Sequence, residues 1–148
     1  MAVTGLGHLA LNVSDMTRSA EFYTRVLGFQ HLFELKDDKG NPWISYFKVG
    51  PGQFIELFYP RGEGPAATKA IVGFSHMCFV VDDIKRTEAE ILRGGGTLDR
   101  PIKLGADGNY QMWVRDPDGN RIELMQIMPN AMQLEAISRL KKENRIPA

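Results

Sequence analysis

Hydrophobic and polar residues alternate with a period of two along several short segments, which is typical of β-strands with one buried face. The first such segment, residues 7–15, reads GHLALNVSD. Because successive side chains of a strand point to opposite sides, Leu9 and Leu11 share one face of it, and His8 and Asn12 share the other. An amphipathic stretch follows at residues 16–27, and the glycine after it is typical of a helix end.

The same pattern occurs a second time in the chain. Residues 75–83 read SHMCFVVDD and are followed by an amphipathic stretch at 84–93 that ends in three glycines. Turn-forming residues separate further short apolar segments, which we interpret as strands. These predicted strands are residues 31–34, 43–49 and 54–59 in the first half and residues 97–99, 110–115 and 121–126 in the second. The order βαβββ is therefore predicted twice.

The spacing of the repeat is nearly constant: 68 residues separate His8 from His76, and 67 separate Glu56 from Glu123. A constant period over a whole chain indicates a duplicated module. We predict an α+β fold in which two tandem βαβββ modules form a curved sheet around a metal cleft, with a helix added at the C-terminus. The division expected for this single domain, 1–148, is module one at 5–60, a linker at 61–72, module two at 73–128 and the helix at 130–144.

Composition narrows the classes of function. The 148 residues include 18 Lys and Arg against 18 Asp and Glu, so the formal net charge is zero and nothing indicates a nucleic-acid partner. The apolar runs are shorter than the roughly 20 residues of a membrane helix, and the N-terminus lacks the pattern of a signal peptide. The single cysteine suits a reducing compartment. We therefore expect a cytoplasmic protein that binds neither nucleic acid nor membrane.

A carboxylate stands in the middle of two strongly apolar predicted strands. Glu56 lies in FIELFY and Glu123 lies in RIELMQ. A buried acid costs several kcal/mol unless it is paired, hydrogen-bonded or bound to a metal. A lone strand histidine or buried glutamate is usually structural, but the repeated set of His8, His76, Glu56 and Glu123 favours a metal site. If the two modules curve around one cleft, two imidazoles and two carboxylates form a mixed site for a divalent ion.

Other residues on the predicted inward faces are candidates for substrate contacts. Asn12 and Arg121 are polar there and need a partner, whereas Phe58 and Met125 either line a pocket or fill the core. Cys78 lies on the same face, and we interpret it as a packing residue.

These features resemble the vicinal oxygen chelate superfamily. The resemblance rests on the paired modules, on the stretch AEFYTRVLGF at 20–29 and on DPDGNRIEL at 116–124, and it covers residues 5–128. It implies that His8, Glu56, His76 and Glu123 are the metal ligands, as in glyoxalase I. It also implies one Ni, Co, Zn or Mn ion per site, a 1,2 proton shift with Glu123 as the main base and Glu56 as its partner, and a homodimer. Members of the superfamily pair their modules within one chain or across a dimer.

Two departures from the glyoxalase I pattern leave the substrate open. Asn12 and Pro60 stand where glutathione-dependent bacterial members usually carry Arg and Asn, so a hemithioacetal of another thiol, an acyl-CoA or a sugar-like substrate remains an alternative. An epimerase of such a substrate would share the proton chemistry. A metal-free drug-binding module of the bleomycin-resistance type is a third alternative. The occupied Glu56 position argues against an extradiol dioxygenase or a fosfomycin thiol transferase.

Overall fold

The fold is seen in a computed structural model, which describes residues 6–60 and 74–143. The predicted linker at 61–72 lies outside these residues. The strands are β1 (His8–Asn12), β2 (Gln30–Lys36), β3 (Pro42–Gly50), β4 (Gln53–Phe58), β5 (Met77–Val80), β6 (Arg100–Leu104), β7 (Tyr110–Arg115) and β8 (Arg121–Gln126). The helices are α1 (Met16–Glu21), continued by a π-helical turn (Phe22–Val26), α2 (Ile84–Arg93) and α3 (Met132–Lys142). The predicted α+β fold with two βαβββ modules and a C-terminal helix is confirmed.

The strands form two sheets of four, with the orders β1-β4-β3-β2 and β5-β8-β7-β6. In each sheet the first strand of the module runs parallel to the last, and the other pairs are antiparallel. β1 and β5 are therefore edge strands of separate sheets. The two predicted histidine ligands lie at these edges, because His8 begins β1 and His76 immediately precedes β5.

One apolar core holds both modules together. Leu9 and Leu11 pack against it from the first sheet, with Ile55 and Leu57 fully buried, and Ile122 and Leu124 occupy the same core from the second sheet. Both sheets thus show the predicted alternation between residues that face the core and residues that face away from it. Each sheet turns its apolar face toward the shared core and its other face away from it.

α1 and α2 each begin after an aspartate that stands at the same place in the repeat. Asp15 accepts a hydrogen bond from the backbone N–H of Arg18, and Asp83 accepts two from Lys85 and Arg86. Such caps satisfy N–H groups that have no partner within the helix. Gly28 then reverses the chain after the first helix with a φ of 71°, a conformation that favours glycine.

Two predicted elements differ in the structure. The prediction of a strand at 97–99 was wrong, because the glycine-rich turn extends further and the strand is β6. β6 is an exposed edge strand with Pro101 in it, so it lacks the apolar alternation that marks a half-buried strand. The predicted helix at 16–27 changes to π-helical geometry at Phe22, where the N–H of Leu27 bonds to the carbonyl of Phe22.

A buried hydrogen bond joins the modules. The Tyr23 hydroxyl, fully buried, donates to Asp116 Oδ2 at 2.9 Å. Asp116 also accepts from the backbone N–H groups of Asp118 and Asn120, so it organises the turn between β7 and β8. Burial is the main cause that raises the pKa of Tyr23 well above its ordinary value, with Asp116 as the second. The first helix therefore fixes the hairpin that carries Glu123.

The C-terminal helix is attached through polar contacts. The buried Asn109 side chain donates to Asp107 and to Gln133 of α3 at 2.8 and 2.9 Å. No side chain within α3 itself is buried in the described chain. Among the described residues, no helix has the length and apolarity needed to cross a membrane.

We predict that Tyr23→Phe lowers the free energy of unfolding by about 1–3 kcal/mol, since it leaves a buried Asp116 oxygen without its hydroxyl donor. Urea denaturation followed by circular dichroism measures the change. Tyr59→Phe is the matched control, because the Tyr59 hydroxyl bonds to the exposed Glu34. Equal stability of the two variants would show that the Tyr23 bond does not hold the modules together.

Candidate metal and substrate site

The first pair of predicted ligands lies on neighbouring strands of the first sheet. His8 begins β1, and Glu56 lies in the middle of β4, directly opposite Ala10. His8 Nδ1 is 3.3 Å from Glu56 Oε1. The glutamate side chain is 9% exposed and the histidine 54% exposed, so a nearly buried carboxylate lies beside an open imidazole. We call His8 and Glu56 the first half-site.

The second pair repeats this arrangement. His76 immediately precedes β5, and Glu123 lies in β8 opposite Cys78. His76 Nε2 is 3.2 Å from Glu123 Oε2, with the side chains 33% and 12% exposed. We call His76 and Glu123 the second half-site. The duplication that the sequence predicts thus reproduces the same contact between imidazole and carboxylate in both modules.

The donor atoms of each half-site are spaced suitably for a shared ion. Two ligand atoms that bind one ion at about 2.1 Å lie about 3.0 Å apart at a right angle and about 3.4 Å apart at the tetrahedral angle. The observed separations of 3.3 and 3.2 Å lie within this interval. Imidazole nitrogen and carboxylate oxygen are also donors that suit Zn, Ni, Co and Mn. The residues present therefore fit a divalent cation.

The four residues do not meet within one chain. Leu9 and Ile55 turn toward the shared core, so their neighbours His8 and Glu56 face away from it, and His76 and Glu123 do the same on the other sheet. Across residues 6–60 and 74–143, no group of three or more His, Cys, Asp or Glu side chains is placed to hold a metal. Each chain thus presents two half-sites on the outer faces of its two sheets.

Each glutamate raises the pKa of a different neighbouring side chain. Tyr46 lies opposite Glu56 on β3, and its hydrogen bond to the Glu56 carboxylate is the main cause that raises the pKa of Tyr46. Cys78 lies opposite Glu123 on β5. Although Cys78 is exposed, loss of water around its sulfur, followed by the charge of Glu123, raises the pKa of the thiol to about 12. A raised pKa favours the protonated, weakly reactive thiol, but the exposure of Cys78 does not support the packing role predicted for it.

A cationic pocket adjoins the second half-site. Trp113 lies opposite Glu123, and its ring meets the His76 ring edge to face with centroids 4.8 Å apart. The Arg121 guanidinium stacks over the same tryptophan at 4.4 Å. Beyond Trp113 is a cavity of about 390 Å³ that Arg100, Lys103 and Gln111, among others, line.

Among the described residues, only Arg121 of the three cations at this pocket has a carboxylate partner, the distant Asp99. Arg100 and Lys103 form no ion pair with the described residues. Arg121 Nε is buried without a hydrogen-bond partner among those residues, and the nearest carboxylate oxygen, on Asp99, is 4.0 Å away. Asp99 itself bonds to Arg115 at 2.9 Å. The pocket therefore presents positive charge that a ligand can neutralise.

The other predicted substrate residues are distributed over both sheets. Asn12 ends β1 on the same face as His8 and is exposed, and its neighbour across the sheet is Phe58. Phe58 is half-buried and meets Trp43 edge to face. Met125 is half-buried, beside Gln111 at the rim of the cationic pocket. Asn12 and Phe58 thus accompany the first half-site, and Arg121 and Met125 accompany the second.

The sequence-based prediction missed Tyr46, Arg100 and Lys103. Tyr46 could have been found by extending the repeat, because it stands 67 residues before Trp113, the same interval that separates the two glutamates. Arg100 and Lys103 carried no such signal. They lie on β6, whose position the alternation did not predict, so their approach to Trp113 is known only from the folded sheet.

Comparisons with known proteins identify the family to which the chain belongs. The family described as "Glyoxalase/Bleomycin resistance protein/Dioxygenase superfamily" matches residues 5–124. A "Probable lactoylglutathione lyase" of Vibrio parahaemolyticus is 35% identical over 128 residues, covering 80% of this chain and 88% of the relative. The "Lactoylglutathione lyase" of Escherichia coli is 31% identical over 125 residues, covering 80% and 90%. The crystal structure of a glyoxalase family protein from Enterococcus faecalis superposes with a TM-score of 0.69 at 26% identity, covering 82% and 97%.

We predict that Cys78 reacts with a disulfide reagent at pH 8 at least about tenfold more slowly than free cysteine. A pKa raised to about 12 leaves little thiolate below that pH, and the rate rises as pH increases toward the pKa. Because the chain has one cysteine, the chromophore that the reagent releases reports the reaction of Cys78 alone. Glu123→Gln is expected to increase the rate because it removes a neighbouring negative charge. A Cys78 as reactive as free cysteine in the unaltered protein would contradict the prediction.

Proposed function

The chain belongs to the Glyoxalase/Bleomycin resistance protein/Dioxygenase superfamily, and we propose that it is a divalent-metal-dependent lyase or isomerase of the glyoxalase I type. Its substrate is a hemithioacetal or a related hydroxy-carbonyl compound. The reaction moves a proton from the carbon beside the carbonyl to the carbonyl carbon. The observation that carries the proposal is the contact between imidazole and buried carboxylate, made twice at nearly equal distances. A metal-free binding module has no need to bury two acids in this way.

The proposed metal site is completed by a second copy of the chain. One half-site supplies two ligands, whereas sites of this kind use four protein ligands and leave positions open for substrate. The two half-sites of one chain face away from their shared core and do not form one group of metal ligands. β1 and β5, which flank the half-sites, are both edge strands of the sheets that the described residues form. A homodimer that brings β1 of one copy beside β5 of the other joins a first half-site to a second half-site, twice.

The chemistry follows from the residues at such a site. When bound, a divalent cation polarises a substrate carbonyl and lowers the cost of removing the proton on the neighbouring carbon. His8 and His76 hold the cation through neutral imidazole nitrogens. Glu123 takes the proton from the carbon beside the carbonyl and returns it to the former carbonyl carbon, while the hydroxyl proton passes to the former carbonyl oxygen, so the reaction is an isomerisation with no net gain or loss of atoms. Low exposure of both glutamates excludes water that would compete for that proton.

The cationic pocket supports an acidic substrate. Arg100, Lys103 and Arg121 lie beside Trp113, which in turn contacts His76, so an anionic group in this pocket leaves the remainder of the molecule beside the second half-site. Carboxylate-bearing thiols and acyl-CoA compounds both meet this requirement. The observation therefore also favours the second candidate, epimerisation of an acyl-CoA substrate, which uses the same proton transfer.

We predict that the purified protein binds one divalent ion per chain and that Glu56→Ala or Glu123→Ala alone removes most of it. A heterodimer made from one Glu56→Ala chain and one Glu123→Ala chain is expected to bind one ion per dimer. In that heterodimer, a site shared between copies is doubly altered on one side and intact on the other. Two different affinity tags isolate the heterodimer, and elemental analysis counts Ni, Co, Zn and Mn.

The metal content of the heterodimer distinguishes a site shared between two copies from a site within one chain. If each site belonged to one chain, the heterodimer would bind as little metal as either variant homodimer. If the unaltered protein, stripped and then supplied with each ion, retained none, the isomerase proposal would fail and a binding module would replace it.

We also predict that the double substitution Arg100→Ser, Lys103→Ser raises KM roughly tenfold for a hemithioacetal of a carboxylate-bearing thiol, with kcat little changed, because it removes charge-assisted contacts to the substrate only. The hemithioacetal of 2-mercaptoethanol, which has no acidic group, is the control substrate. Lys85→Ser, on α2, is the control variant. Equal changes in KM for the acidic and neutral substrates would show that the pocket does not select charge.

A further inference from the structure

We propose that Gln111 is a specificity-determining residue for the acidic end of the substrate, and that the indole N–H of Trp113 orients its amide so that it donates hydrogen bonds to an oxyanion. This role rests on the proposed function and deepens it, since it identifies a neutral group that selects the substrate at the cationic pocket. The oxyanion is a carboxylate or a phosphate ester.

The Trp113 side chain determines which way the Gln111 amide faces. The two residues stand two apart on β7 and share one face of the strand. The indole Nε1 donates to Gln111 Oε1 at 3.0 Å. An indole nitrogen is a donor only, so its partner must be the amide oxygen and not the amide nitrogen. Gln111 Nε2, with both of its hydrogens, is therefore directed away from the indole N–H.

Trp113 is itself held in place, so it is able to orient the amide. Its side chain is buried, and its ring meets the His76 ring edge to face with centroids 4.8 Å apart. The Arg121 guanidinium lies over the same ring at 4.4 Å. Such ring contacts favour particular orientations. The Gln111 oxygen thus has a fixed partner, and an amide that is already oriented loses little freedom when a ligand binds.

The amide nitrogen of Gln111 lies beside Gly105, at the wall of the pocket. A Cβ on that glycine would lie 2.4 Å from Nε2, so the absence of a side chain there leaves room for the amide. Gly105 and Gln111 both line the cavity of about 390 Å³. Asp107 Oδ1 would be 2.7 Å from the same Cβ, but the Asp107 carboxylate accepts hydrogen bonds from Asn109 and Gln133 and is not part of the cavity lining.

The polar side chains that line the cavity offer donors, and the acceptor among them is already engaged. Arg100, Lys103 and the indole N–H are donors only. The acceptor, Gln111 Oε1, receives the indole N–H. A group that only accepts, such as a carboxylate or a phosphate ester, therefore suits this wall. A carboxamide of the same shape also donates, so it would leave donors facing donors.

The test measures binding of small probes to the metal-stripped protein, so that no ion contributes to the affinity. A Trp43→Phe background leaves Trp113 as the only tryptophan of the two in the chain, and its fluorescence reports the pocket. Butyrate and butyramide are an isosteric pair, and propyl phosphate is the second oxyanion. We expect butyrate or propyl phosphate to bind at least about tenfold more tightly than butyramide. The tighter of the two oxyanions identifies the acidic group that the pocket takes.

Two substitutions of Gln111 separate its donor from the surrounding charge. Gln111→Leu removes the donor without adding charge, and we expect oxyanion affinity to fall roughly tenfold. Gln111→Glu keeps an oxygen for the indole N–H but places a negative acceptor at the wall. We expect this variant to lose roughly a hundredfold in oxyanion affinity, so that butyramide binds at least as tightly as butyrate.

Gln126→Glu is the matched control for the added charge. It makes the same substitution on the adjacent strand β8, where the side-chain oxygen accepts from the backbone N–H of Ile84 at 2.9 Å. We expect it to leave the preference for oxyanions unchanged. Thermal unfolding verifies that each variant remains folded.

Three outcomes would overturn the inference. They are equal affinity of the unaltered protein for butyrate and butyramide, an oxyanion preference that survives in both Gln111 variants, and an equal loss of that preference in Gln126→Glu. Failure of the proposed function is distinguishable, because these measurements need neither metal nor turnover. A protein that binds no metal but binds oxyanions through Gln111 would lose the proposed reaction and keep the recognition site.

Discussion

The apolar core shared by the two sheets is the constraint on which the rest of the structure depends. Because both sheets bury one face in the same core, each must turn its alternate residues outward. The residues that carry chemistry, His8 and Glu56 on one sheet and His76 and Glu123 on the other, alternate with core residues along their strands. Burying the core therefore places each half-site on the face of its sheet that points away from the core. The incompleteness of each half-site follows from the packing that stabilises the fold.

The two modules share one backbone arrangement but surround their glutamates with different side chains. In the first sheet the glutamate is bordered by stacked aromatic rings, Phe33 and Tyr46. In the second it is bordered by Trp113, which carries Arg121 on its face and adjoins a pocket with unpaired cations. A site formed from one sheet of each kind has an apolar aromatic wall and a cationic wall. Such a site suits a substrate that is acidic at one end and reacts at the other, and it gives each glutamate its own surroundings.

A second buried contact, the hydrogen bond between Tyr23 and Asp116, connects the core to the second half-site. Tyr23 belongs to the first module, yet its hydroxyl bonds to Asp116, which organises the turn between β7 and β8. Ser14, just before the first helix, donates its N–H to Asp118 of the same turn at 3.1 Å. The hairpin that carries Trp113 and Glu123 is thus fixed by residues from the other half of the chain. The modules depend on each other for the geometry of the second half-site as well as for stability.

The sequence by itself determined the duplicated βαβββ order, the helix caps at Asp15 and Asp83 and the family, because these depend on local alternation, turn chemistry and motifs that recur at a fixed interval. It also indicated which two histidines and two glutamates are the candidate ligands, since they recur at a fixed interval. It did not determine the position of β6, an exposed edge strand whose residues leave no alternating signal, and so it gave no indication of the cationic pocket. Only the tertiary structure decided that the two half-sites of one chain face apart, and that Tyr46 and Trp113 surround the two glutamates differently. Those facts depend on which sheet faces share a core and on side chains that meet across strands, and neither is encoded in the spacing of residues along the chain.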